Sequence, residues 1–128
     1  MERKNFNSQQ VVRMNPVFPQ AVIAGDHIFL SGTAGLDPVT GKIVSDQFED
    51  QAIQAFTNLG TILEEAGSGL SKVLKTTVFM VAGQDSDFSI INKVYARFFP
   101  VDPPVRSAPQ VMPFPGGILI SVECIAII

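Results

Sequence analysis

Ile118-Leu119-Ile120-Ser121-Val122-Glu123-Cys124-Ile125-Ala126-Ile127 is rich in β-branched residues and reads as a closing strand. Side chains of a strand alternate, so Ile118, Ile120, Val122, Cys124 and Ala126 share one face, and Leu119, Ser121, Glu123, Ile125 and Ile127 share the other. Both faces are largely apolar, so both need cover. Glu123 is the exception, a carboxylate flanked by Leu119, Ser121 and Ile125 that must find a partner or a ligand if it is buried.

Working back from this strand, Pro115-Gly116-Gly117 reads as a turn, preceded by a strand from Arg106 to Met112 and by Pro103-Pro104. Phe88, Ile91, Val94 with Tyr95, and Phe98 with Phe99 recur at helical steps, capped at Asp85, Ser86 or Asp87 and stopped by Pro100. Val73 to Val81 is β-branched and aromatic, a long strand. Before it, Phe48, Ala52, Ala55 with Phe56, Leu59, Ile62 with Leu63, and Ala66 form one face of a helix that Gly67 ends. Asp37-Pro38-Val39-Thr40-Gly41 is a turn, with a short strand expected at Ile43-Val44. Ala21 to Ala24 and His27 to Ser31 flank Gly25-Asp26 as a tight hairpin. Met1 to Asn15 has no periodicity and is expected to be a lead-in, followed by the proline-rich Pro16-Val17-Phe18-Pro19.

The order ββ(β)αβαββ predicts an α+β fold, a two-layer sandwich with two helices on one face of a mixed β-sheet, in a single domain over residues 1–128. Two helices cover only one side of a sheet of about five or six strands. The closing strand offers apolar residues to the other side as well, so a homo-oligomer is expected.

Nine Lys and Arg against twelve Asp and Glu give a net charge of -3 without a basic stripe, which argues against nucleic acid as a partner. One cysteine and one histidine, Cys124 and His27, leave no soft-ligand set for a metal. Met1 to Gln10 lacks the apolar core of a secretory signal, and no run approaches the roughly 18 apolar residues of a membrane span. A cytoplasmic protein with no membrane partner is expected.

Several segments, in order and at their spacing, carry a resemblance. They are Gln20-Ala21-Val22, Ser31-Gly32 before Asp37-Pro38-Val39-Thr40-Gly41, and Lys75-Thr76-Thr77-Val78-Phe79. Asn92 to Phe99, Pro104-Val105-Arg106-Ser107 and Val122-Glu123-Cys124-Ile125-Ala126 complete the set. Over about Pro16 to Ile128 the chain resembles the RidA (YjgF/YER057c/UK114) family. The resemblance implies a chorismate-mutase-like fold, a homotrimer with a central β-barrel, and clefts between subunits. It implies hydrolytic deamination of enamines and imines such as 2-aminoacrylate, 2-iminopropanoate and 2-iminobutanoate, without a metal or other cofactor. Arg106 would bind the substrate carboxylate, Glu123 would position or polarise water, and Phe18, Ser31, Gly32 and Asn92 would line the cleft. The chain departs from the family's usual residues at Phe18, where tyrosine is common, and at Thr33 and Ala108.

The chemistry suits these residue types. An α-imino acid carries a carboxylate beside its C=N carbon, and a planar guanidinium holds a carboxylate by two parallel hydrogen bonds, which lysine cannot do. A carboxylate at Glu123 would take a proton from the attacking water. Two other readings remain open. One is a deaminase for another enamine, such as an aminomuconate; the other is a trimer that binds small carboxylates, or acts as a chaperone, without turnover. On residue type alone, Arg106 reads as a salt-bridge member, Asn92 as a solvated helix residue, and Tyr95, Phe98 and Phe99 as core. Cys124 reads as an inert core thiol.

Overall fold

A computed structural model gives the structure over residues 2–128. The strands are β1 (Arg3–Phe6), β2 (Ala21–Ala24), β3 (His27–Ala34), β4 (Val73–Val81), β5 (Val105–Ser107), β6 (Gln110–Val111) and β7 (Ile120–Ile127). The helices are α1 (Phe48–Glu65) and α2 (Ser89–Phe98). One mixed sheet runs β1-β2-β3-β7-β4-β5, with β6 also paired to β4. Pairing is antiparallel from β1 through β7 to β4, and parallel where β5 and β6 join β4.

The closing strand lies at the centre of this sheet, between β3 and β4, and its alternation is as the sequence predicts. Ile120, Val122, Cys124 and Ala126 are buried, while Ser121 and Ile125 are half-buried and Glu123 and Ile127 exposed. The buried row meets Phe56, Leu59, Ile62 and Leu63 of α1 and Ile91, Val94 and Tyr95 of α2 in one core, so both helices cover the same face. That α+β arrangement is the one expected from the order of elements. Rings at Phe56, Tyr95, Phe98 and Phe99 pack at centroid distances of 4.8 to 5.9 Å and tie the two helices together.

Local chemistry sets the boundaries. Gly25, at φ +61°, takes the left-handed position of the hairpin turn. After α1, Gly67 at φ +89° lets its own N–H and that of Ser68 return to the carbonyls of Glu64 and Leu63, a double closure that satisfies the helix's last acceptors. Gln51 is fully buried on α1, yet every polar atom is used. Its amide donates to Ser45 O and Gly117 O at 2.9 and 3.1 Å and accepts from Leu119 N at 2.8 Å, joining the helix to the turn before β7.

Four expectations need correction. The lead-in contains β1, whose polar residues Arg3, Lys4 and Asn5 pair with β2 through backbone alone, so no hydrophobic period announces them. No strand forms at Ile43-Val44; Ile43 makes a single bridge to Leu36. The strand expected from Arg106 to Met112 is broken into β5 and β6 around Ala108-Pro109, because proline has no N–H for the ladder. The closing strand starts at Ile120 rather than Ile118. Among the described residues, no helix is long and apolar enough to cross a membrane.

Candidate functional site

Arg106 stands at the end of a row that crosses the sheet. Ala21, Leu30, Cys124, Thr76 and Arg106 are successive register partners, so all five point to the helix-covered face. The first four are buried; Arg106, on the outer strand, emerges at the edge beside α2 and is half-buried. Its Nη1 donates to Oδ1 of Asn92 at 2.9 Å. The guanidinium carbon lies 5.0 Å from the ring centroid of Tyr95 and 5.9 Å from that of Phe88. Two π faces and one neutral oxygen hold this cation. The ion pairs among the described residues are His27 with Asp26 and Lys93 with Glu49, so Arg106 has no acidic partner there.

Tyr95 is core, as its place in the helix stripe predicts, and it is also the floor beneath Arg106. Its hydroxyl lies 2.7 Å from Oγ1 of Thr76 and donates to the carbonyl of Pro104 at 3.3 Å, which ties α2 to β4 and to the approach of β5. Burial pushes the Tyr95 phenol above its ordinary pKa, against the opposing pull of the Thr76 hydrogen bond and the Arg106 charge. It therefore stays neutral at physiological pH.

Phe18, Ser31 and Gly32 come together elsewhere, in a crevice that Arg13, Gln20 and Asn58 help to line. The crevice lies between the segment before β2 and the far half of β3. Ser31 donates from Oγ to the Pro19 carbonyl at 2.7 Å, and Arg13 donates from Nε to the Phe18 carbonyl at 3.0 Å, so the loop carrying Phe18 is held against the strand. Gly32 lies in the irregularity between Leu30 and Thr33, where β3 loses register with β7. A Cβ there would come within 2.5 Å of Oγ of Ser121. A side chain at position 32 would have to displace that hydroxyl, and the Ser121 hydroxyl therefore stands against Gly32, a contact that alternation alone did not reveal.

Glu123 lies on β7 opposite the Ser31-Gly32 irregularity of β3, because its neighbours Cys124 and Val122 pair with Leu30 and Thr33. Its register partner is Thr77, and it lies on the bare face with Phe29, Lys75, Thr77 and Ile125 around a shallow hollow. Arg106 and Glu123 of one chain therefore face opposite sides of the sheet. Between β3, which carries Ser31, and β5, which carries Arg106, run β7 and β4, a separation of about 14 Å at ordinary strand spacing. One chain thus brings Asn92 to Arg106, and brings Phe18 to Ser31 and Gly32 with Glu123 on the adjoining strand, and leaves these two groups apart.

Among the described residues, no cluster of three or more His, Cys, Asp or Glu could hold a metal. Cys124 is buried under the helices; burial, with the nearby Glu123 charge adding to it, pushes its thiol up to about 12, so it stays protonated.

A family model described as Endoribonuclease L-PSP matches residues 9–128. Reactive Intermediate Deaminase A, chloroplastic, of Arabidopsis thaliana is 43% identical over 109 residues, which are 85% of this chain and 57% of that protein. The chain thus spans little more than half of that relative's length. The Homo sapiens protein named 2-iminobutanoate/2-iminopropanoate deaminase is 38% identical over 110 residues, covering 86% of this chain and 79% of the human one. The crystal structure of E. coli TdcF with bound serine is similar at a TM-score of 0.88 and 31% identity, covering 98% of each chain. With the segments that carry the resemblance found on β3, β4, α2, β5 and β7 of the same fold, the chain belongs to the RidA (YjgF/YER057c/UK114) family.

Proposed function

We propose that this chain hydrolyses small reactive α-imino acids and their enamine tautomers, of the 2-iminopropanoate and 2-iminobutanoate type, to 2-keto acids and ammonia. The observation that carries the reading is Arg106, oriented by Asn92 and two rings and without an acidic partner among the described residues. A substrate carboxylate completes it through two parallel N–H···O bonds, which fix the adjacent C=N carbon in place. Water adds to that carbon, the nitrogen takes up protons, and ammonia leaves as the carbonyl forms. Glu123 positions the water and accepts its proton.

The working unit in this reading is a homotrimer of single-domain protomers, in the cytoplasm, with the sheets lining a central barrel. Because Arg106 and Glu123 of one chain face opposite ways, both reach one substrate only when a neighbouring copy supplies Glu123 together with Phe18, Ser31 and Gly32. The names of the Arabidopsis and human relatives support the reaction, and the serine bound to TdcF, a small amino acid with a carboxylate, supports the ligand class. Cleavage of RNA, which the family description names, fits the residues less well. The single histidine is bonded to Asp26 at a hairpin turn, and acidic residues outnumber basic ones.

Semicarbazide-trapping kinetics on freshly generated 2-iminopropanoate and 2-iminobutanoate test this. Wild type should outpace trapping, and Arg106→Ala should lose about 2 to 5 kcal/mol in kcat/KM, as when one member of a buried charged pair is removed. A variant with near-wild-type kcat/KM would remove the anchor. Tight keto-acid binding without turnover would make the chain a carboxylate-binding protein instead.

A further inference from the structure

Phe88 adopts a backbone conformation that a bulky residue avoids, φ +63° and ψ +14°, at the residue before α2. Glycine or asparagine would take it more readily. Asp85 fixes it. This buried residue accepts from Phe88 N at its carbonyl at 3.0 Å, and its carboxylate accepts from Ile90 N at 3.1 Å and Ile91 N at 2.8 Å. Those bonds satisfy the first donors of α2 whatever side chain occupies position 88. Helix capping therefore leaves the choice of phenylalanine unexplained. Packing explains it only in part, because Phe88 is half-buried at the margin of the core.

What the left-handed turn does is carry the ring across to β5, where its centroid lies 5.9 Å from the Arg106 guanidinium carbon. With Tyr95 at 5.0 Å and the Asn92 bond at 2.9 Å, the guanidinium is held by three groups that take no charge from it. Aromatic rings engage the face of a guanidinium and leave its in-plane N–H donors for a carboxylate. We propose that Phe88 is a positioning residue for Arg106, set against the guanidinium by the Asp85-fixed turn so that the fork stands ready for a ligand carboxylate. The inference rests on Arg106 being the carboxylate anchor, and assigns a residue that acts only through it.

The test measures binding of 2-oxobutanoate, the stable keto acid, by calorimetric titration of the intact protein, with KM and kcat from trapping assays and thermal melting for every variant. Phe88→Leu keeps apolar bulk but loses the ring; it should melt near wild type, bind about fivefold more weakly, and raise KM more than it lowers kcat. Phe88→Tyr keeps the ring and should bind within about twofold of wild type. Phe88→Gly relieves the backbone and repeats the measurement where Phe88→Leu does not fold. Wild-type affinity in the ringless variants, with Arg106→Ala impaired, overturns the positioning role alone. Wild-type affinity in Arg106→Ala overturns the anchor itself.

Discussion

An arginine on an outer strand ordinarily finds an acid, and Arg106 finds an amide oxygen and two rings instead. The distinction matters because a salt bridge would consume the fork that recognition needs, whereas a face-on ring leaves it free. Arg106→Lys keeps the charge and loses the planar pair of donors. It should raise KM for α-imino acids at least about tenfold while changing kcat less, read in the trapping assay; an unchanged KM would show that charge alone suffices. Cys124 gives a second prediction at this scale. With its thiol pushed up to about 12 and shielded beneath the helices, it should resist thiol reagents in the folded protein and react at once after denaturation. Rapid labelling of the native state would contradict its burial. Alternation in the closing strand was enough to put Cys124 inside. It could not show that Tyr95 serves both core and site, because a helix stripe reveals which face is buried and not what approaches its rim.

At the scale of elements, Glu65 ends α1, where a negative charge opposes the helix dipole. It is kept by what it binds. Its carboxylate accepts from Ser8 Oγ, from Gln9 N at 2.9 Å and from Gln10 N at 3.3 Å, and so fastens the segment that leads into Val11 to Met14, part of the wall of the Phe18 crevice. Desolvation pushes the carboxyl up, but the bonds from Ser8, Gln9 and Gln10 outweigh it and hold Glu65 below its ordinary 4.5. A depressed folded pKa means that the stabilisation is present above the unfolded value and fades as pH falls through the folded one. Glu65→Gln should therefore lower the urea midpoint near neutral pH, and the difference should vanish in acid; a difference independent of pH would sink the ionic fastening. Phe56, fully buried at the meeting of both helices, tests the core: Phe56→Ala should cost about 3 to 5 kcal/mol in urea unfolding, and a smaller loss would mean that the ring cluster is not central.

Elements with a strong hydrophobic period were legible before the structure. The helix ending at Gly67 and the strand from Val73 to Val81 have the expected bounds within a residue or two of the termini, and the Gly25-Asp26 hairpin turns where expected, although its second strand runs on past Ser31 to Ala34. β1 was not legible, since Arg3-Lys4-Asn5 has the composition of a solvated tail and becomes a strand only because β2 offers an open edge. The split of β5 from β6 was readable in principle from Pro109, which cannot donate within a ladder. The grouping of Phe18 with Ser31 and Gly32, and of Asn92 with Arg106, depends on sheet order, which spacing along the chain does not encode.

At the scale of the whole molecule, the helices leave one face of the sheet uncovered. Phe29 is 44% exposed and Ile127 38%, with Val22, Phe79 and Ile125 half-buried beside them. Such a surface favours association. Sedimentation should find trimers, and Phe29→Glu, which puts a charge among these residues, should shift them towards monomers with loss of activity; a fully active monomer would contradict the assembly. The central claim is that the guanidinium of one copy and the Phe18 crevice of another form each site. Subunit mixing tests it most directly. Arg106→Ala and Phe18→Glu, each inactive alone, are unfolded together and reassembled at equal amounts before assay. Sites shared between copies predict that activity returns at roughly a quarter of the wild-type sites, those that draw an intact half from each chain. A mixture as inactive as its two components would place the whole site within one chain and contradict the account.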